Sequence, residues 1–357
     1  MTRDNQDSNN KVSPINKFNA HKTTFDRNSF DYIVRSGLAG GISGSCAKTL
    51  IAPLDRIKIL FQTSNPHYTK YAGSLVGLVE AAKHIWINDG IRGFFQGHSA
   101  TLLRIFPYAA VKFVAYEQIR NTLIPSKEFE SHWRRLVSGS LAGLCSVFIT
   151  YPLDLVRVRL AYETEHKRVK LRKIMKKIYT EPASTTLIKS EYLPNWFCHW
   201  CNFYRGYVPT VLGMIPYAGV SFFAHDLLHD VLKSPFFAPY SVLELSEDDE
   251  LERIQKKQRK PLRTWAELIS GGLAGMASQT AAYPLEIIRR RLQVSALSPK
   301  NMYDHKFQSI SEIAQIIFKE RGLRGFFVGL SIGYIKVTPM VACSFFVYER
   351  MKWNFGI

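Results

Sequence analysis

PLDRIK (53–58), PLDLVR (152–157) and PLEIIR (284–289) are three copies of one corner. Each is a proline, an acid two residues on and a base three further, and each follows a long apolar run. Repetition at unequal spacing is weak support alone, so further markers were sought in register. GFFQG ends at Gly97, FYRG at Gly206 and GFFVG at Gly329. The tenth residue after each of these glycines is a proline (Pro107, Pro216, Pro339), and the twentieth is an acid (Glu117, Asp226, Glu349). Before the corners, a Gly-x-x-x-Gly pair recurs as Gly40/Gly44, Gly139/Gly143 and Gly271/Gly275. Markers that keep register three times define a threefold internal repeat. The unequal spacing reflects insertions: about ten residues before Gly206 and about twenty in the stretch SEDDELERIQKKQRK (246–260).

Each unit reads as two long helices with an amphipathic helix between them. The first starts near Tyr32, Trp133 or Trp265 and runs past its corner. At ~1.5 Å per residue, ~30 residues overrun a ~30 Å hydrocarbon layer, so tilt or a kink is required. Pro53, Pro152 and Pro284 supply kinks, because proline removes a backbone donor. The paired glycines would permit close helix contact in lipid. The second long helix follows Gly97, Gly206 or Gly329. Between them, Leu75, Leu78, Val79, Ala82 and Trp86 fall at helical spacing, as do Phe307, Ile310, Ile313, Ala314 and Ile317. Such stripes indicate helices lying on a surface. The resulting division is a polar, disordered tail at 1–30, repeats at 31–125, 131–235 and 263–355, and a charged loop at 236–262.

Composition narrows the function classes. A net charge of +18 calls for an anionic partner: nucleic acid, lipid headgroups or a phosphorylated solute. A nucleic-acid binder would explain the charge but not six apolar segments with bases inside them. Residues 1–30 lack the apolar core of a secretory signal, and Asp4, Asp7 and Asp26 argue against a cleaved transit peptide. The five cysteines (Cys46, Cys145, Cys198, Cys201, Cys343) are scattered and form no disulfide framework. CHWC (198–201) could be redox-active or half a metal site, yet no second pair accompanies it. No nucleophile–base pair or phosphate loop is evident, so an enzyme is not expected, nor a cofactor or metal. HKRVKLRKIMKK (166–177) reads as a basic helix facing lipid or the aqueous side.

The corner P-x-[DE]-x-x-[KR], three times over and each time followed by an aromatic-x-Gly element, resembles the signature of mitochondrial carriers. The resemblance spans about residues 32–355. It implies an all-α membrane protein of six transmembrane helices in three pseudo-threefold repeats, with short amphipathic matrix helices, in the mitochondrial inner membrane. It also implies a central cavity opening alternately to either side, between two gates. On the matrix side, Asp55, Asp154 and Glu286 would pair with Lys58, Arg157 and Arg289 of neighbouring helices. A bracing glutamine matches Gln62 and Gln293, whereas the second repeat has Ala161. The cytoplasmic gate motif matches Tyr116, Glu117 and Arg120, and Tyr348, Glu349 and Lys352. The second repeat departs, with His225, Asp226 and His229, and an imidazole is only partly charged near neutrality. The acid-glycine element of the matrix segment is Asp89-Gly90 in the first repeat and Arg321-Gly322 in the third, and the insertion interrupts it in the second. A monomer contacting membrane lipids, cardiolipin among them, is expected, with no nucleic acid.

Residues that break the threefold symmetry speak to the solute. Seven residues after the marker glycines stand Arg104, Gly213 and Lys336, and Lys48 lies five before Pro53. A base in mid-membrane costs ~2.5–3.5 kcal/mol on insertion scales, so such bases, unpaired in sequence, are expected to face a cavity rather than lipid. The resemblance makes these positions substrate contacts, and base, Gly-aliphatic, base is the pattern of nucleotide-type carriers. Three cations suit a polyphosphate, Gly213 leaves room for a flat ring, and Met214 and Tyr217 offer surfaces to stack on. RRRLQ (289–293) is not the arginine–methionine run of ADP/ATP carriers, and no calcium-binding loop appears. Length, acidic insert and motifs resemble the coenzyme A carrier branch, which holds fungal coenzyme A carriers and the Graves disease carrier. The expected solute is coenzyme A or a related nucleotide such as adenosine 3′,5′-bisphosphate. An ADP/ATP-type carrier and an uncoupling-type proton conductor are the alternatives.

Overall fold

In the computed structural model, residues 30–125, 131–164, 169–181, 194–243, 261–297 and 309–356 are described. The tail and most of the acidic–basic loop lie outside them. The long helices fall where the repeat places them. The first of each unit is α1 (Phe30–Gln62), α4 (His132–Tyr162) and α9 (Thr264–Val294). The intervening helices are α2 (Leu75–Gly93), α5 (Leu171–Thr180) with α6 (Asn195–Cys201), and α10 (Ile310–Arg321). The second long helices are α3 (His98–Leu123), α7 (Tyr207–Leu232) and, in the third repeat, α11 (Leu330–Ile335) leading into α12 (Val337–Phe355). The charged loop opens on a single turn, α8 (Ala238–Ser241).

Local chemistry sets these boundaries. Ser74 and Ser131 cap α2 and α4 by accepting from the backbone N–H of Gly77 and Arg134, and Ser309 with Glu312 forms a capping box on α10. Gly97, Gly206 and Gly329 immediately precede the second helices with φ of 86°, 79° and 82°. A side chain there would be strained and would crowd the neighbouring unit: a Cβ on Gly97 would sit 2.8 Å from the Arg157 carbonyl oxygen. The marker glycines are thus turn residues at a close inter-repeat approach.

The second helix of each unit packs mainly on the first helix of the next: α3 on α4, α7 on α9, and α12 back on α1. The chain therefore closes into a ring. Its buried core lies at one end. Three clusters join each first helix to its own intervening helix, through Ile57, Ala81 and Ile85; Val156, Ile174 and Ile178; and Ile287, Ile313 and Ile317. A fourth, of Ile59, Val158, Ala161 and Val294, plugs the axis where α1, α4 and α9 converge. All four lie at or beyond the proline corners.

By length and composition, three helical stretches of the described residues qualify as membrane spans: Arg134–Tyr162, Trp196–Leu232 and Ile310–Phe355. The other long helices are less apolar, α9 through small and polar residues (Gly271, Gly272, Ser278, Gln279, Thr280) rather than charge. The α2 stripe divides: Leu75, Val79 and Trp86 are more than half exposed, while Leu78 and Ala82 pack with Ala81 and Ile85 on the core beside α1. In α10, by contrast, Ile313 and Ile317 do face the core, as their spacing indicates. One expectation needs correction, the close contact of the Gly-x-x-x-Gly pairs. A Cβ built on Gly40, Gly44, Gly139, Gly143, Gly271 or Gly275 meets nothing within 4 Å. The first helices diverge on that side of the corners, so these glycines face open space.

Candidate functional site

Pro53, Pro152 and Pro284 lie inside α1, α4 and α9. Each corner turns its acid and base toward the axis, and the three corners form a closed ring of ion pairs. Arg157 meets Asp55 at 2.8 Å, Arg289 meets Asp154 at 2.5 Å and Lys58 meets Glu286 at 3.1 Å. Every pair links an acid to the base of the following repeat. Gln62 donates to Glu286 at 3.0 Å and Gln293 to Asp154 at 3.1 Å, while Ala161 leaves Asp55 without this support. Each pair has one buried member, Asp154 at 1% exposed, Lys58 at 5% and Asp55 at 7%, against a partly buried Arg289, Glu286 or Arg157. Removing one partner of a buried pair strands the other charge at a cost of ~3–5 kcal/mol, far above the ~0–1 kcal/mol of an exposed pair.

Two tyrosines missed by motif reading complete the ring. Tyr151 donates to the Arg205 carbonyl at 2.7 Å and accepts from Gln293. Tyr283 donates to the Val328 carbonyl at 3.0 Å and accepts from Gln62. Each ties the glutamine of one repeat to the loop before a marker glycine. The signal was legible: tyrosine precedes the proline in the second and third corners, where the first has Ala52.

The cations expected to be unpaired are not. Lys336 donates to Asp55 at 2.9 Å, and Arg104 donates to Asp154 at 2.8 Å while its guanidinium lies 5.4 Å from the Tyr108 ring centroid. They lie within reach of the ring, and a carboxylate has two oxygens to share. Arg290 adds a further contact to Asp154 at 3.2 Å. Lys48 is set apart: its Nζ lies 3.4 Å from Met340 Sδ on α12. Across from these bases, Gly213 has only Leu285 near it, at 3.6 Å from a built Cβ. Met214 is partly buried and Tyr217 is 49% exposed.

A second layer of ion pairs locks each corner to its own intervening segment. Arg56 meets Asp89 at 3.2 Å, Arg291 meets Glu320 at 2.7 Å, and Arg159 meets Glu181, which also lies 3.2 Å from Arg205. The acid that seemed interrupted in the second repeat is therefore supplied by Glu181. Only arginine seven residues after Pro152 and Pro284 hinted at this layer.

The opposite end is organised differently. Glu117, Arg120, Asp226 and Glu349 are exposed, and Tyr116 and Tyr348 are half-buried. Lys352 finds Glu349 at 3.6 Å on its own helix rather than a partner on another. His229 lies 3.3 Å from Glu267 at the start of α9, a residue outside the motif. Tyr348 approaches Ser36 at 3.5 Å.

The family described as Mitochondrial carrier protein matches three times, over residues 30–127, 129–236 and 260–356. Mitochondrial carrier protein LEU5 of Saccharomyces cerevisiae is 92% identical over 357 residues, covering 100% of both chains. Solute carrier family 25 member 16 of Homo sapiens is 37% identical over 329 residues, 91% of this chain and 90% of that protein. Mitochondrial carrier protein CoAc2 of Zea mays is 37% identical over 324 residues, 89% of this chain and 86% of that one. Ring, repeats and relatives agree: this chain belongs to the mitochondrial carrier family, a multi-pass transporter of the inner membrane rather than an enzyme.

Proposed function

We propose that this carrier moves coenzyme A, or a closely related adenine nucleotide, by alternating access, and that the ion-pair ring is its matrix gate. The observation carrying the reading is the double use of Asp55 and Asp154. Each is shared between a gate base and a base at a substrate-contact position, Lys336 or Arg104. A solute phosphate entering from the cytoplasmic side competes with these carboxylates for the same cations. Arg104 offers it a planar, bidentate grip and Lys336 and Lys48 offer point charges. Once the cations turn to the phosphate, Asp55 keeps only Arg157 and Asp154 loses one of its cations, and the closed ring weakens. Differential binding of this kind shifts a two-state equilibrium, which is what a carrier must do.

The same arrangement favours a solute with several separated anionic groups and a flat ring. Coenzyme A, a 3′-phosphorylated ADP with a pantetheine arm, meets that description, with Gly213 leaving space for the base beside Met214 and Tyr217. The maize relative's name, CoAc2, supports the same choice. The glycine pairs that face open space would then be the contact surface of the cytoplasm-closed state, with Glu117, Arg120, Asp226, His229, Glu349 and Lys352 in its gate. The test is exchange in liposomes reconstituted with the purified carrier, comparing coenzyme A, adenosine 3′,5′-bisphosphate, ADP, ATP and a proton gradient. Saturable exchange of the first two ahead of ADP and ATP is expected. Preference for ADP and ATP, or proton flux without exchange, would overturn the assignment.

A further inference from the structure

At the open end of the ring, two histidines and a carboxylate from different repeats converge, and the carrier reading assigns them no joint role. His225 and His229 lie one turn apart on one face of α7, with ring centroids 4.2 Å apart and planes 26° from parallel. Glu267 reaches them from the first turn of α9, its Oε2 3.3 Å from His229 Nε2. One ligand atom from each residue lies within 4.8 Å of the others. His229 is 8% exposed, and its Nε2 is buried without a hydrogen-bond partner, so the close carboxylate is misaligned for a hydrogen bond. A buried ring nitrogen beside an acceptor it does not bond is an unfilled position.

We propose that His225, His229 and Glu267 bind a divalent cation of the zinc class, which staples the second repeat to the third at the cytoplasmic end. Two imidazole nitrogens and one carboxylate oxygen are a borderline-soft donor set that suits Zn²⁺ over Mg²⁺ or Ca²⁺. Ligand atoms bonded to one tetrahedral zinc ion at ~2.1 Å stand ~3.4 Å apart, so a closure of up to about 1.4 Å, shared between two side chains, completes the set. The pairing of neighbouring histidines one turn apart with a ligand from another element is chelating geometry, not a chance surface pair. His225 is partly exposed and Glu267 exposed, which gives the ion a way in from solvent. Because α7 packs along α9, the bound ion restrains relative movement of the two helices at that end.

The full-length carrier, purified in detergent, provides the test, with Co²⁺ as spectroscopic probe and Zn²⁺ as competitor. One Co²⁺ per chain is expected, with the visible bands of nitrogen and oxygen ligands, no thiolate charge-transfer band, and displacement by Zn²⁺. His225→Asn and Glu267→Gln should each weaken Zn²⁺ at least about tenfold, since loss of a direct ligand exceeds the tenfold floor for losing its supporting partners. Both positions are more exposed than His229, and far-ultraviolet circular dichroism checks that the variants fold. His229→Asn should abolish the signal. Absence of binding, unchanged affinity in the folded His225→Asn and Glu267→Gln variants, or loss of the signal only with Cys198→Ser and Cys201→Ser would each overturn the site.

Discussion

The two ends of this helical ring are built from the same six long segments and differ in almost every physical respect. At the proline-corner end, four apolar clusters are buried, three inter-repeat ion pairs each have a buried member, and each acid has more than one donor. At the opposite end, glycines face open space, Lys352 pairs with Glu349 on its own helix and His229 meets Glu267 across two helices. On the gate assignment proposed above, the contrast is that of a carrier closed toward the matrix and open toward the cytoplasm. It also teaches why one end can yield. The closed end is held by charges that a charged solute can recruit, whereas its apolar plug is only four residues wide at the axis.

The comparison breaks most directly at Asp154. It is 1% exposed and meets Arg104, Arg289 and Arg290. Asp154→Ala strands these cations, and we expect ~3–5 kcal/mol of destabilisation of the matrix-closed state. Thermal unfolding in detergent should fall and exchange in liposomes should be lost. A wild-type melting temperature would show that the ring does not hold that end.

Arg104→Ala and Lys336→Ala come next. Each removes a charge-assisted phosphate contact worth roughly 1.5–3 kcal/mol, so half-saturation for coenzyme A should rise about ten- to hundredfold. Coenzyme A without its 3′-phosphate should lose less in one of the two variants, which would identify the base that reads that phosphate. Unchanged half-saturation in both correctly inserted variants would remove these residues from the solute site.

Gly143→Leu probes the open end. Nothing lies within 4 Å of a Cβ there in this conformation. The matrix-closed state should therefore keep its melting temperature, while overpacking of the cytoplasm-closed state costs ~1–3 kcal/mol and slows exchange. Rapid exchange by the variant would mean that the glycine line never closes. Lys352→Ala should have the smallest effect on stability. Its contact with Glu349 is an exposed pair within one helix, worth ~0–1 kcal/mol, whereas Lys58→Ala should lower the melting temperature clearly. Equal losses in the two variants would erase the distinction between the ends.

Much of the matrix end was legible because it is written in local, repeated signals. The acid at the second position after each proline, the base at the fifth and the glutamine at the ninth all reach the axis together, and the marker glycines do precede the second helices with left-handed backbone. The second layer of ion pairs was not legible in full. Glu181 follows α5 rather than occupying the register of Asp89, and an insertion hides it from any counting scheme. The shared partners of Arg104 and Lys336 were likewise invisible, since a base on one helix gives no hint of which carboxylate on the next lies beside it.

By itself the sequence determined the threefold repeat, the proline corners of the first helices and the chemical identity of the ring charges, because each rests on residue types at short fixed spacing. Tertiary structure alone decided which end is closed, which carboxylates serve two cations, that the glycine pairs stand empty, and that Glu267 joins two histidines from another repeat. These depend on distances between segments far apart in the chain. Helix periodicity gives the direction of a side chain about its own axis, but only packing sets how near another helix comes.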